Sequence, residues 1–234
     1  MIRLNDVFKK IYVISLLSEE KRRENILYLS KTFQFNFEFI NAVDHKDLSI
    51  QNFINEKKLA YLKNDFFCKN YCTCKGLGHD IDIKQIACSL SHYKTWSKSI
   101  ENNHKNILIL EDDVYLDSDF GRRFDIFSKN LPNKWNYINL GRNNKIKNSR
   151  KSIQKIKRGF SGTQMYGLSN YGLKMAYANF FPIRAHIDGY LDYFVIQNRK
   201  GSVGLKYCYA STENFGKNGS IDGKFETNIQ NYFD

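Results

Sequence analysis

Four apolar residues, Ile107-Leu108-Ile109-Leu110, run directly into three carboxylates, Glu111, Asp112 and Asp113. A run without alternation is apolar on both faces, which predicts a central strand covered by helices on either side. The acids then stand at the carboxyl end of that strand, the edge where an open α/β sheet presents ligand groups. Three adjacent carboxylates repel one another unless a cation sits among them. Hard oxygen donors of this kind suit Mg²⁺ or Mn²⁺, above all where substrate phosphates complete the coordination. In extended geometry Glu111 and Asp113 share one side and read as an acidic-x-acidic metal clamp. A solvated turn after the strand, where Asp is common, is the other reading of the same run.

The flanking pattern supplies the rest of an α/β layer. Residues 11–16 (IYVISL) predict a first strand, and Ser18, followed by Glu19 and Glu20, predicts a capped helix through about residue 30. Phe33, Phe35, Phe37 and Phe39 alternate with polar residues, as in a half-buried strand ending near Ile40. Strand, helix and strand make a βαβ unit, the building block of parallel sheets. Ile86, Leu90, Tyr93, Trp96 and Ile100 recur at spacings of four and three, one face of a helix over 85–100. WNYINLG at 135–141 predicts another strand, and residues 163–177 a short strand entering a helix. The Gly-, Asn- and Ser-rich residues 211–234 read as an irregular tail or lid.

A length of 234 residues fits a single domain over 1–234 with its core at about 11–191. An aromatic share of 15% argues against disorder. No run approaches the ~18 apolar residues of a membrane span. The apolar run Ile11–Leu17 is too short for a signal peptide and precedes no small-residue cleavage site. The expectation is a cytoplasmic protein. Lysine and arginine exceed the acids by 36 − 24 = 12, which favours polyanionic partners. Arg142, Lys145, Lys147, Arg150, Lys151, Lys155, Lys157 and Arg158 fall in a stretch, 142–158, without one acid. That stretch reads either as a solvated loop or as peripheral contact with an anionic membrane face or a phosphorylated glycolipid core. Cys68, Cys72 and Cys74 with His79 offer zinc donors at a non-standard spacing; free thiols in a loop are the plainer reading.

A metal-bound diphosphate is a leaving group, because the cation stabilises the charge that grows as its bond to a sugar breaks. No GxxxxGK[ST] loop or kinase signature is present, which turns the reading away from P-loop and kinase chemistry. No nucleic-acid partner is expected: neither an aromatic RNP pattern nor a zinc-finger spacing occurs. A basic nucleic-acid-binding protein and an inactive scaffold of glycan assembly remain the rival readings.

The ordered segments IYVISLLSEEKRRENI (11–26), FINAVDHKDL (39–48), IACSLSHYKTW (86–96), ILILEDDVYL (107–116), WNYINLG (135–141), TQMYGLSNYGLKMA (163–176) and PIRAHIDGYL (182–191) resemble the motifs of the family 25 glycosyltransferases. That family includes lipooligosaccharide and collagen galactosyltransferases. Lys84, Gln85 and Ala87 depart from its usual Gly, Glu and Gly, His45 from a Gly and Asn136 from an Asp. The resemblance implies a GT-A fold, a Rossmann-like, mixed, mostly parallel sheet flanked by helices. It further implies an inverting transfer of a hexose, galactose foremost, from a UDP-sugar donor to a glycolipid or oligosaccharide acceptor. It assigns Glu111 and Asp113 to Mn²⁺ or Mg²⁺, and Asp112 to the donor side of catalysis. It makes Asp188 the general base, with a helix cap or turn residue as the alternative. Ser15, Leu16, Arg22, Ala42, Val43, Asp44 and His92 are its implied donor contacts: Arg22 at the phosphates, and Asp44 at a ribose hydroxyl, with a buried hydrogen-bonding role as the alternative for His92. Arg23 lies beside Arg22 just beyond the first strand, and one of the two is expected to be a solvated helix charge; His186 is a further candidate ligand or a satisfied structural histidine.

Overall fold

The computed structural model describes residues 2–49, 52, 55–59, 83–141, 152–156, 162–197 and 202–218. Along the chain run α1 (Leu4–Val7), β1 (Lys10–Ser15), α2 (Glu20–Phe33), β2 (Glu38–Asn41), α3 (Ile83–Glu101), β3 (Ile107–Glu111), β4 (Val114–Tyr115) and α4 (Phe120–Lys129). They are followed by β5 (Tyr137–Gly141), β6 (Ile153–Lys155), β7 (Met165–Leu168), α5 (Asn170–Ala178), α6 (Ile187–Gly189), β8 (Cys208–Ser211) and β9 (Lys217–Asn218). α6 widens into a π-helical segment over Tyr190–Ile196.

One sheet has the order β2-β1-β3-β7-β5-β8-β6, and β4 pairs separately with β9. β1 is parallel to β2 and β3, and β5 to β8; β7 runs against both β3 and β5, and β6 against β8. Five strands therefore point one way and two the other, the mixed, mostly parallel α/β sheet that the GT-A expectation describes. β3 is interior, and Ile107, Leu108, Ile109 and Leu110 are all fully buried. Ile107 and Ile109 join Trp96 of α3 and Leu173 of α5 on one face. Leu108 and Leu110 join Ile26 of α2 and Phe124 of α4 on the other. Each such side chain contributes about 1.5–3 kcal/mol on burial. A slip of one residue would exchange the two faces, so packing fixes where the acids emerge.

Three local expectations change. α2 begins at Glu20, with Glu19 at its N-cap and no side-chain cap bond; Ser18 lies one residue too early to cap it. Phe33 belongs to α2, which ends when Gln34 turns left-handed (φ 54°). The alternating phenylalanines thus span a helix end, a loop and β2 rather than one strand. Part of the expected loose tail is anchored: Phe215 is buried against Phe120, Phe124 and Phe127. Cys68, Cys72, Cys74 and His79 lie outside the described residues, as does the basic stretch apart from 152–156. No described helix is long and apolar enough to cross a membrane.

On β2, Glu38 receives Lys10 at 2.5 Å and Lys98 of α3 from the other side. Burial pushes its carboxyl up, but the two ammonium groups outweigh it and hold the pKa below the usual range. A lowered folded-state value contributes stability above the unfolded pKa, and that contribution disappears as pH falls through the folded value. Glu38→Gln is therefore expected to lose less stability than the wild type as pH drops below about 4.5. Urea titrations at neutral and acidic pH read the difference.

Candidate active site

β1 and β3 are parallel neighbours, with Ile14 in register with Glu111, so their carboxyl ends open together. The cleft there is lined by Ser15, Leu16 and Arg22 from the first βα unit and by Ala42 and Val43 beyond β2. α3 adds Cys88 and His92, and the end of β3 adds Glu111, Asp112 and Asp113. Arg22 begins the buried stripe of α2 that continues through Ile26 and Leu29, which aims its guanidinium at the cleft. Arg23, one residue on, does not point to bulk water; its guanidinium lies over the Phe39 ring at 3.9 Å.

β3 ends at Glu111, and Asp112 and Asp113 form the turn into β4. The extended alternation that would put Glu111 and Asp113 on one side therefore does not hold. The three acids have separate surroundings. Asp112 is 7% exposed and lies 3.3 Å from Arg22; burial pushes its carboxyl up, against the pull of Ser15 and Arg22. Glu111 accepts from the Thr163 hydroxyl at 2.6 Å. Its Oε1 is 3.3 Å from His92 Nε2. Burial pushes Glu111 up, but His92 and Thr163, with Arg22 further off, hold its pKa below the usual range. Asp113 is 8% exposed.

Asp188 does not line the cleft directly but is joined to it. Its Oδ2 accepts from Gly162 N–H at 2.7 Å, and its Oδ1 is 3.1 Å from the Thr163 hydroxyl. That hydroxyl has one hydrogen, so it serves Glu111 or Asp188 but not both at once. Gly162 adopts φ 98°, a conformation that resists a side chain. Asp44, between the lining residues Val43 and His45, accepts from Lys46 N–H at 3.0 Å and so caps the turn His45–Asp47. His186 precedes α6 as its N-cap.

The sequence reading gave no site role to Thr163, Tyr166 or Cys88, although Cys88 stands in the family-like segment IACSLSHYKTW. Tyr166 hydroxyl meets His92 Nδ1 at 2.8 Å and accepts from Trp96 Nε1 at 3.0 Å. The Cys88 thiol is pushed well up by burial and then by Glu111, Asp188, Asp113 and Asp112. Of these carboxylates, Glu111 is the one whose oxygen lies within 4.8 Å of both the Cys88 sulfur and a His92 ring nitrogen. Glu111, Asp112 and Asp113 lining one cleft beside the buried His92 Nε2 fit a divalent cation. The motif and the i,i+4 spacing of Cys88 and His92 were the available signals for the thiol.

Residues 8–195 match glycosyltransferase family 25 (LPS biosynthesis protein). Similar proteins include procollagen galactosyltransferase 1 of Danio rerio, 24% identical over 64% of this chain and 24% of that protein. Procollagen galactosyltransferase 2 of Homo sapiens is 22% identical over 88% of this chain and 33% of its own length. The inactive glycosyltransferase 25 family member 3 of Mus musculus is 27% identical over 58% and 22%. The matches thus span about a fifth to a third of these relatives. A solved glycosyltransferase involved in the glycosylation of the major capsid of PBCV-1 aligns over 86% of this chain, with a TM-score of 0.40 and 9% identity. With a cleft of carboxylates at the strand ends and a family match over most of its length, the chain belongs to glycosyltransferase family 25.

Proposed function

We propose that this chain transfers a hexose, galactose foremost, from a UDP-sugar to a hydroxyl of a lipooligosaccharide or other surface glycan, with inversion. The observation that carries the reading is the cleft itself, where Ser15, Arg22, Ala42, Val43, His92 and three carboxylates meet at the carboxyl ends of two parallel strands. Glu111, and Asp113 from the turn that follows it, would hold Mn²⁺ or Mg²⁺, which would supply positive charge to stabilise the departing diphosphate. Arg22, already oriented by Asp112, adds hydrogen bonds to the same phosphates. Asp44 serves a ribose hydroxyl. Asp188 takes the proton of the acceptor hydroxyl as its oxygen bonds to the anomeric carbon and the sugar–phosphate bond breaks, releasing UDP. Action at the cytoplasmic membrane face, with 142–158 against anionic lipid, belongs to the same proposal and rests on the sequence.

Calorimetry with Mn²⁺ present, against UDP-galactose, UDP-glucose, UDP-N-acetylglucosamine and GDP-mannose, tests the reading. One UDP-sugar is expected to bind, and Asp113→Ala to weaken it by roughly 10–100-fold, about 1.4–2.7 kcal/mol. A folded protein that binds none of the four would remove the transferase reading. The name of the mouse relative raises the scaffold alternative. Donor hydrolysis without acceptor separates the two, since a scaffold consumes no UDP-sugar.

A further inference from the structure

Cys88 and His92 stand four residues apart on α3, so their side chains leave one face of the helix. There the Cys88 sulfur, a His92 ring nitrogen and a Glu111 carboxylate oxygen all lie within 4.8 Å of one another. The transfer chemistry has no use for the thiol. His92 is 0% exposed, and its Nε2 lies 3.3 Å from Glu111 without the alignment of a full hydrogen bond, close enough to act on the carboxylate's charge. Buried ring nitrogens ordinarily have a partner. The other ring nitrogen is held by Tyr166 at 2.8 Å, and Tyr166 in turn by Trp96 at 3.0 Å. Glu111 is held by Thr163 at 2.6 Å. Outer hydrogen bonds of this kind orient metal-ligating imidazoles and carboxylates.

We propose that Cys88 Sγ, His92 Nε2 and the Glu111 carboxylate bind a borderline-soft divalent cation, Zn²⁺ above all, with the fourth position open to the cleft. A sulfur, a nitrogen and an oxygen donor select Zn²⁺ over Mg²⁺, which takes oxygen. Zn–S of about 2.3 Å and Zn–N or Zn–O of about 2.0–2.2 Å put tetrahedral ligand atoms roughly 3.4–3.6 Å apart, within reach of the present spacing. Ligation sends the thiol proton to solvent. The imidazole then carries its proton on Nδ1 and donates it to the Tyr166 oxygen, which can accept as well as donate. Glu111 is shared with the proposed catalytic ion, so on the transferase reading Zn²⁺ competes with Mn²⁺ and inhibits. The binding itself does not depend on that reading.

Co²⁺ is the probe, titrated into the full chain without nucleotide and followed by thiolate-to-cobalt charge-transfer absorption in the near ultraviolet. Wild type is expected to give a band that Zn²⁺ abolishes. In Cys88→Ser, nearly isosteric and checked for folding by circular dichroism, that band is lost, and His92→Ala weakens Co²⁺ binding at least tenfold, or about 1.4 kcal/mol. No band in folded wild type overturns the site, and so does a band unchanged in Cys88→Ser, which would assign the cobalt to other thiols. The nucleotide-sugar calorimetry stands apart: it can fail while the cobalt band appears, or succeed while the band is absent.

Discussion

Trp96→Ala is expected to lower the free energy of unfolding by about 3–5 kcal/mol, read from the midpoint of a urea titration. Trp96 is fully buried, with Phe180 edge-on at 5.8 Å and Tyr190 at 6.2 Å. Truncation removes the transfer free energy of the indole and leaves a cavity in the buried cluster that Trp96 shares with Ile107 and Ile109 of β3 and Leu173 of α5, which cannot close without loss of other contacts. It also removes the donor to Tyr166. Trp96→Phe separates the two costs, because a ring remains while the N–H is lost. Its expected penalty adds about 1 kcal/mol for the missing hydrogen bond to a smaller packing loss. A Trp96→Ala penalty below about 1 kcal/mol would be out of keeping with a fully buried indole and would contradict the packing of α3 on the sheet.

Asp188→Asn is expected to reduce kcat by about 10²–10⁴-fold, the range for a lost general base, while donor affinity stays within a few-fold. The amide keeps an oxygen for Gly162 N–H and nearly the same shape, but it cannot take the acceptor's proton. The separation between kcat and donor binding is the decisive readout. If both fall together, Asp188 acts by shaping Gly162 and Thr163, to which it is hydrogen bonded. If neither falls, the carboxylate is a turn residue and the proton leaves by another route.

The hydrophobic pattern alone determined much of this protein. ILIL could only be a strand buried on both sides, and it is β3, interior to the sheet. The spacing from Ile86 to Ile100 gave α3, and the acids stand at the strand end where the run of residues placed them. These features are local: they depend on periodicity and on one change of polarity, both of which a single stretch of chain carries. Where competing local rules met, at Ser18 and Phe33, one residue of helix phase decided the outcome.

Tertiary structure decided who faces the acids. Thr163 reaches Glu111 because β7 enters antiparallel beside β3, with Met165 opposite Leu110 and Gln164 O accepting from Glu111 N–H. The next residue of β7, Tyr166, turns to the face of α3 and meets His92 and Trp96. Period-two patterning tells which face a side chain takes, but strand order and register set its neighbour across the sheet. Those are settled by contacts between separate elements, Thr163 with Glu111 52 positions away and with Asp188 25 positions away, so Cys88, His92, Glu111, Thr163 and Asp188 form one cluster only once the sheet has assembled.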